Sequence, residues 1–375
     1  MRLKPLLCRF LIACALPASA QAADYRVDTV VDGLEFPWSL AFLPDGRMLV
    51  TERPGRLRVI ERNADGRPTL RATPIAGVPP VLASGQAGLF DVMLDPDFAD
   101  NGVLYLSFAH GTFEANHLRI VRARFDGERL HEPTPILTTR PAKSHTQHLG
   151  GRMALLGDGT LVVGMGDGNL DRTDALRLHT HLGKILRIHR DGRVPDDNPF
   201  VDRAHGGDAV RAEILSYGHR NPQALVYVAT HGALYSNEHG ARGGDELNRI
   251  TPGANYGWPI TTHGVDYTGA RITPYSEWPG VTPPLTQWTP SIAPSGMCWY
   301  DGTLFPAWRH SLFVSALAEK SVRRVPMQSG VPGEQEVLFR ELGERIRDVR
   351  AGPDGALYLL TDSAEGRVLR VSPGS

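Results

Sequence analysis

One short pattern recurs six times along this chain and restricts its fold more than any other feature. Each copy is a tight turn followed by a run of alternating or fully apolar residues. The first three are Pro44-Asp45-Gly46 before Met48-Leu49-Val50, Asn101-Gly102 before Val103-Leu104-Tyr105-Leu106, and Asp158-Gly159 before Leu161-Val162-Val163. His231-Gly232 before Ala233-Leu234-Tyr235, Trp308-Arg309-His310-Ser311 before Leu312-Phe313-Val314, and Pro353-Asp354-Gly355 before Leu357-Tyr358-Leu359-Leu360 complete the set. Such turns join antiparallel strands, and a short apolar run beside one reads as a strand buried against a neighbour. The copies fall at irregular intervals of very roughly 60 residues, in the range of propeller blades. No segment keeps a period of 3.6 residues over three turns, which argues against an α/β fold. The expectation is an all-β, six-bladed β-propeller, with two stacked β-sandwiches as the alternative. Four of the strands end in an acid, at Glu52, Asp167, Glu238 and Asp362. The Gly/Pro-rich stretch 251–294 is too long for a tight connection and is expected to cap one face of the disc.

Charge and leader bound the function classes. The formal net charge of −1, with no basic stripe, disfavours nucleic acid as a partner. Arg2 and Lys4 precede an apolar run, Phe10 to Leu16, that is too short to span a bilayer. Ala18-Ser19-Ala20 and Ala20-Gln21-Ala22 are both cleavage patterns, so residues 1–22 read as a signal peptide and 23–375 as one exported propeller domain. A soluble periplasmic protein with no stable membrane insertion is expected. Lipoprotein anchoring at Cys14, in Leu11-Ile12-Ala13-Cys14, is the competitor, and Arg9 leaves it too short an apolar run. After cleavage only Cys298 remains, so packing or metal must stabilise the exported protein rather than a disulfide.

Four loop segments carry candidate chemistry. In Gln147-His148-Leu149-Gly150-Gly151-Arg152 a histidine precedes a glycine pair, where the backbone can approach a ligand and the imidazole can serve as a base near neutral pH. Taken alone, a histidine in such a loop is more often a surface or structural residue. In Arg220-Asn221-Pro222 the proline forces Asn221 into an extended conformation, so a cation and an amide project from one rigid corner. The plainer reading is an arginine holding a carboxylate between blades. In Arg345-Ile346-Arg347-Asp348 the two arginines share one face of a strand and repel each other unless an anion lies between them. A multi-carboxylate ligand would serve, since arginine grips carboxylates in bidentate fashion. Neutralisation by Glu341, Glu344 or Asp348 is the alternative. From Glu238 to Tyr256, glycines at 240, 243 and 244 free backbone carbonyls, and Asp245 and Glu246 add hard oxygens, a set that suits Ca²⁺. A His-x-x-x-His pair, a cysteine cluster, a dinucleotide fingerprint, a Walker loop and a G-x-S-x-G elbow are all missing from the sequence, which disfavours a zinc site.

These motifs occur in an order that resembles the soluble quinoprotein sugar dehydrogenases, the PQQ-dependent aldose and glucose dehydrogenase family. The resemblance runs through most of the chain: Phe36-Pro37-Trp38, Gly85-Gln86-Ala87-Gly88-Leu89, His148 with Gly150-Gly151-Arg152, and Gly164-Met165-Gly166-Asp167. It continues with Gly218-His219-Arg220-Asn221-Pro222-Gln223, Asn255-Tyr256-Gly257-Trp258-Pro259, Ala293-Pro294-Ser295-Gly296 and Arg345-Ile346-Arg347-Asp348. The resemblance implies a six-bladed propeller that binds pyrroloquinoline quinone (PQQ) and Ca²⁺, oxidises aldoses at C1 to lactones, and passes electrons to an external quinone, cytochrome or dye. It assigns His148 as general base, Arg220 as the cation at the reacting carbonyl of the quinone, and Asp167 as the acid supporting His148. Gln86, Arg220, Asn221, Tyr267, Arg345 and Arg347 become cofactor contacts. Gly240 and Ala241 become carbonyl ligands of the cofactor's Ca²⁺, and Glu246 and the Tyr256 carbonyl a further Ca²⁺ site.

Two departures qualify this. Ser315-Ala316-Leu317 is followed by Ala318 where the glucose enzymes carry a cofactor-binding lysine, with Lys320 two residues on, and Gln147 replaces an acid before the base. Both weaken glucose as the preferred sugar. The loops that dimerise the glucose enzymes look shortened, so a monomer is expected. A Ca²⁺-dependent lactonase would not need the paired Arg345 and Arg347, and a non-catalytic sugar-binding propeller would not need His148.

Overall fold

A computed structural model describes residues 24–207 and 209–374, so the leader and its cleavage patterns lie outside the described residues. Six antiparallel sheets are arranged as a six-bladed β-propeller. Blade 1 is built from Pro37–Phe42, Met48–Glu52, Arg56–Arg62 and Pro68–Leu70, and blade 2 from Leu89–Leu94, Val103–Gly111, Asn116–Phe125 and Leu130–Thr138. Blade 3 comprises Met153–Leu155, Leu161–Met165, Lys184–Ile188 and Ile214–Tyr217; blade 4 comprises Pro222–Val228, Ala233–Glu238, Asp245–Ile250 and Thr286–Trp288. In blade 5, after Pro294–Tyr300 and Ser311–Ala316, the long strand Ser321–Gln328 pairs both Val331–Pro332 and Glu336–Leu338. Blade 6 takes Ile346–Ala351, Leu357–Thr361 and Gly366–Pro373 from the end of the chain and its outer strand, Tyr25–Leu34, from the beginning. That pairing closes the ring and leaves no open edge between first and last blade.

The six turn-strand units read from the sequence are the first hairpins of the six blades. Each turn joins the innermost strand to the second, as in Phe42↔Met48, Leu155↔Leu161 and Ala351↔Leu357. The apolar runs then pack between neighbours, one cluster per interface. Leu49, Leu57 and Leu104 fill the gap between blades 1 and 2, Tyr105, Leu161 and Val163 that between 2 and 3, and Val162, Ile185 and Leu225 that between 3 and 4. Tyr235, Leu247 and Val314 lie between blades 4 and 5, Phe313, Val349 and Leu359 between 5 and 6, and Leu40, Val50 and Leu360 between 6 and 1. Stability is therefore spread around the ring, and the inner strand ends are free to carry function.

The segment expected to cap one face does so over its first part and ends as a strand. Tyr256 and Trp258 donate backbone N–H bonds to the Tyr217 and Gly218 carbonyls at 2.9 and 2.9 Å, tying this loop over the end of blade 3. Thr286–Trp288 then returns as the outer strand of blade 4. Among the described residues no helix is long and apolar enough to cross a membrane. Among the described residues Cys298 has no disulfide partner; it is buried, and burial pushes its thiol up to about 12, which disfavours the reactive thiolate at neutral pH.

Candidate active site

At the end of the second strand of blade 3 the chain turns through Gly166-Asp167-Gly168, and Asp167 is buried. Its Oδ1 lies 2.6 Å from His148 Nδ1. A carboxylate can only accept, so Nδ1 carries the proton and Nε2 keeps the lone pair. His148 stands in the left-handed region, with φ 49°, and its backbone N–H donates to Gln86 Oε1 at 3.1 Å. Gly150 and Gly151, with φ 65° and 103°, let this loop pack flat on blades 2 and 3: a Cβ at 150 would meet the Gly164 carbonyl at 2.4 Å and one at 151 the Phe90 ring at 2.7 Å. The close approach that the sequence assigned to a ligand is thus made first by the protein itself.

Burial lowers the His148 pKa, and Arg220 and Lys143 push the same way against the attraction of Asp167. The ring is neutral at pH 7 and able to accept a proton. Burial alone would raise the Asp167 carboxyl, but its bond to His148 and the Arg220 charge hold it below the usual carboxylate range. Lys143, buried with its ammonium 2.9 Å from the His145 carbonyl, is lowered by burial to about 8.

Arg220 is held by blade 4. Its backbone N–H donates to Glu238 Oε2 at 2.6 Å, and the other Glu238 oxygen takes His219 Nδ1 at 3.0 Å. Nη1 of Arg220 donates to the His239 and Gly240 carbonyls at 3.2 and 2.5 Å. So Glu238 does serve an arginine at a blade interface, as the plainer reading had it, but through the backbone, which leaves the guanidinium aimed elsewhere.

A cavity of about 300 Å³ opens beside these groups, lined among others by Gln86, Asn221, Tyr267, Arg345 and Arg347, five of the residues singled out in the sequence. His148, Asp167 and Arg220 are not among its lining; they stand at its margin, next to Leu149, Gly150 and Asn221, which are. Asn221 Oδ1 is buried with no hydrogen-bond partner among the described residues. Arg345 and Arg347 do project together, and the anion between them is Asp362, at 2.9 and 3.2 Å, rather than the acids the sequence suggested. Glu341 is engaged by Tyr25, Glu344 by Arg367, and Asp348 by Arg152 and Arg350. Arg53 also lines the cavity and forms no ion pair among the described residues. Three guanidiniums thus face one carboxylate. Leu317 forms part of the wall and Lys320 does not.

The metal-ligand expectations divide. Asp245, read as a hard oxygen donor, is instead buried and satisfied: it accepts from the Gly240, Ile292 and Ala293 backbone N–H groups and the Ser291 hydroxyl. It is a loop brace, a use that no local spacing reveals. Gly240 and Ala241 keep their carbonyls, the first now accepting from Arg220. Glu246 lies opposite Glu238 in the sheet, and burial and that like charge push its carboxyl well above the usual carboxylate range. Glu246 and Tyr256 line one further cavity, of about 540 Å³. No group of three or more His, Cys, Asp or Glu side chains suited to a metal occurs among the described residues.

Residues 34–370 match the family model described as glucose / sorbosone dehydrogenase. The aldose sugar dehydrogenase YliI of Escherichia coli is 39% identical over 99% of this chain and 98% of its own length. A solved glucose dehydrogenase superposes with a TM-score of 0.87 at 44% identity, covering 93% of this chain and 99% of that one. The PQQ-bound aldose sugar dehydrogenase of Streptomyces coelicolor gives 0.74 at 30% identity, covering 94% and 99%.

Proposed function

This chain belongs to the glucose / sorbosone dehydrogenase family, and from that premise we propose that it is a PQQ-dependent aldose sugar dehydrogenase. The observation that carries the reading is the excess of guanidinium over carboxylate in the cavity beside a neutral, oriented histidine. PQQ is a planar tricarboxylate. Arg53, Arg345 and Arg347 supply the charge it needs, and the Asn221 and Gln86 side-chain amides supply polar edges. When bound, the cofactor supplies the two-electron acceptor for the C1 hydride of the sugar.

The protein's share is orientation, charge and proton transfer. Nε2 of His148 takes the proton of the anomeric hydroxyl, and Asp167 stabilises the imidazolium that forms. Arg220 makes no hydrogen bond through Nε or Nη2 among the described residues, which leaves these donors for negative charge developing at the reaction centre. Tyr267, two-thirds exposed at the mouth of the cavity, offers an aromatic face to cofactor or sugar.

For Ca²⁺, which takes six to eight oxygens, Gly240 and Ala241 would contribute two backbone carbonyls. A second ion between Glu246 and the Tyr256 carbonyl would relieve the repulsion between Glu246 and Glu238. We also propose cleavage after residue 22, action in the periplasm as a monomer, and electron delivery to an external acceptor.

The test adds PQQ and CaCl₂ to purified protein and follows dye reduction with a panel of aldoses, with His148→Ala in parallel. Activity requiring both additions and lost in the variant supports the assignment and ranks the sugars. Lactone hydrolysis without sugar oxidation replaces it with the lactonase.

A further inference from the structure

Trp258 touches both charged groups of the proposed machinery and has so far been given no part in it. Oδ1 of Asp167 is taken by His148 and by the Asn169 backbone N–H at 2.8 Å. Among the described residues Oδ2 has one side-chain donor, Nε1–H of Trp258, at 2.8 Å. The face of the same indole lies under the Arg220 guanidinium, 5.4 Å from ring centroid to guanidinium carbon. The ring is itself fixed. Its backbone N–H is bonded to Gly218, it packs with Ala175 and Ala241, and Arg172 covers it at 5.8 Å. An indole N–H can only donate, so it commits Oδ2 as an acceptor, and any turn of the carboxylate breaks this bond together with the one to His148.

We propose that Trp258 is a positioning residue: its N–H locks the Asp167 carboxylate that holds the Nδ1–H tautomer of His148, and its ring face sets the place of Arg220. This rests on His148 being the base. The capping segment 251–294 then does more than cover the disc, because it delivers the group that orients the proton acceptor on blade 3.

The charged groups facing the pair are Arg220 and Lys143, with His239 beyond them. None of them replaces the indole as a donor to Oδ2. Without that donor, negative charge concentrates on Oδ1 and favours the imidazolium. His148 then holds its proton to higher pH, and the acid limb of any activity it controls moves up.

Trp258→Phe keeps the ring under Arg220 and removes only the N–H. In ¹⁵N spectra of the protein without added cofactor, the His148 titration should move up by about half to one pH unit and the Nδ1–H proton should exchange faster. With PQQ and Ca²⁺, kcat should fall about tenfold and KM for the aldose should stay within about twofold. A folded Trp258→Phe protein with unchanged His148 titration and exchange overturns the proposal. Should the variant not fold, the wild-type indole Nε1–H is followed instead, assigned through contacts with the Ala175 and Ala241 methyls. A resonance that tracks His148 protonation supports the proposal, and one that stays flat overturns it. A shifted His148 titration in protein that oxidises no sugar would refute the dehydrogenase assignment and leave the positioning role standing.

Discussion

Two arginine–aspartate clusters occupy the middle of the propeller, and they differ in balance. In the first, Arg152 and Arg350 meet Asp91 and Asp348 at 2.8 to 3.3 Å, with the Ser39 hydroxyl donating to Asp91 at 2.5 Å. Each of its charges is matched, and its members come from blades 1, 2, 3 and 6. Arg152 also lies over the Trp38 ring at 4.2 Å. In the second, Arg345 and Arg347 share Asp362 on the wall of the cavity, and Arg53 joins that wall with no carboxylate partner among the described residues. A balanced buried cluster needs nothing further and ties blades together. One with excess cation is tolerable when water or an anionic ligand completes it. The same two residue types thus mark a structural hub in one place and the proposed binding site in the other, and the count of opposite charges separates them.

Breaking the balanced cluster should have the largest effect. Asp348→Ala leaves Arg152 and Arg350 short of a partner in the interior, and unfolding in urea should show a loss of about 3–5 kcal/mol. A loss below about 1 kcal/mol would remove the distinction between the clusters. Arg347→Ala should do the reverse. Asp362 keeps Arg345, so stability should change by only about 1 kcal/mol, while titration calorimetry should show PQQ binding weakened about 10- to 100-fold.

Asp362→Asn sharpens the contrast further by leaving the cations unopposed. PQQ should bind about threefold tighter at low salt, with the gain fading at high ionic strength. Burial pushes the Asp362 carboxyl up, but Arg347 and Arg345 outweigh it and hold it below its ordinary value. A depressed folded-state pKa stabilises the fold above the ordinary carboxylate range, and that stability is lost as pH falls through the folded value. Unfolding measured against pH should therefore be less acid-sensitive in Asp362→Asn than in wild type. The smallest effect is expected from Arg53→Gln, since no carboxylate depends on it. Stability should stay within about 0.5 kcal/mol, and affinity for PQQ should fall only a few-fold.

Much of this architecture was legible in the sequence. Turn chemistry and apolar runs act over a few residues, so the first hairpin of every blade could be read directly, down to His231-Gly232, which lacks the usual Asp or Asn. The family resemblance led to Gln86, Asn221, Tyr267, Arg345 and Arg347, and these do share one cavity. The partners were hidden. Asp362 was visible as an acid at the end of a strand, but its place between two arginines depends on a register shift between Ile346 and Asp348. Asp245 looked like a metal ligand because its four donors come from residues 240 and 291–293, on two separate loops. Arg53 gave no signal beyond its charge. Trp258 was quoted within a motif, yet its bond to Asp167 spans 91 residues.

The sequence by itself determined the strands, their number of repeats and the residue types available for chemistry, because propensity, turn geometry and apolar patterning are local. Only the tertiary structure decided which charges meet. Closing the ring brings inner strand ends from all six blades toward one axis, and there the distance between side chains, rather than their spacing along the chain, sets whether a carboxylate neutralises an arginine, braces a loop or orients a base.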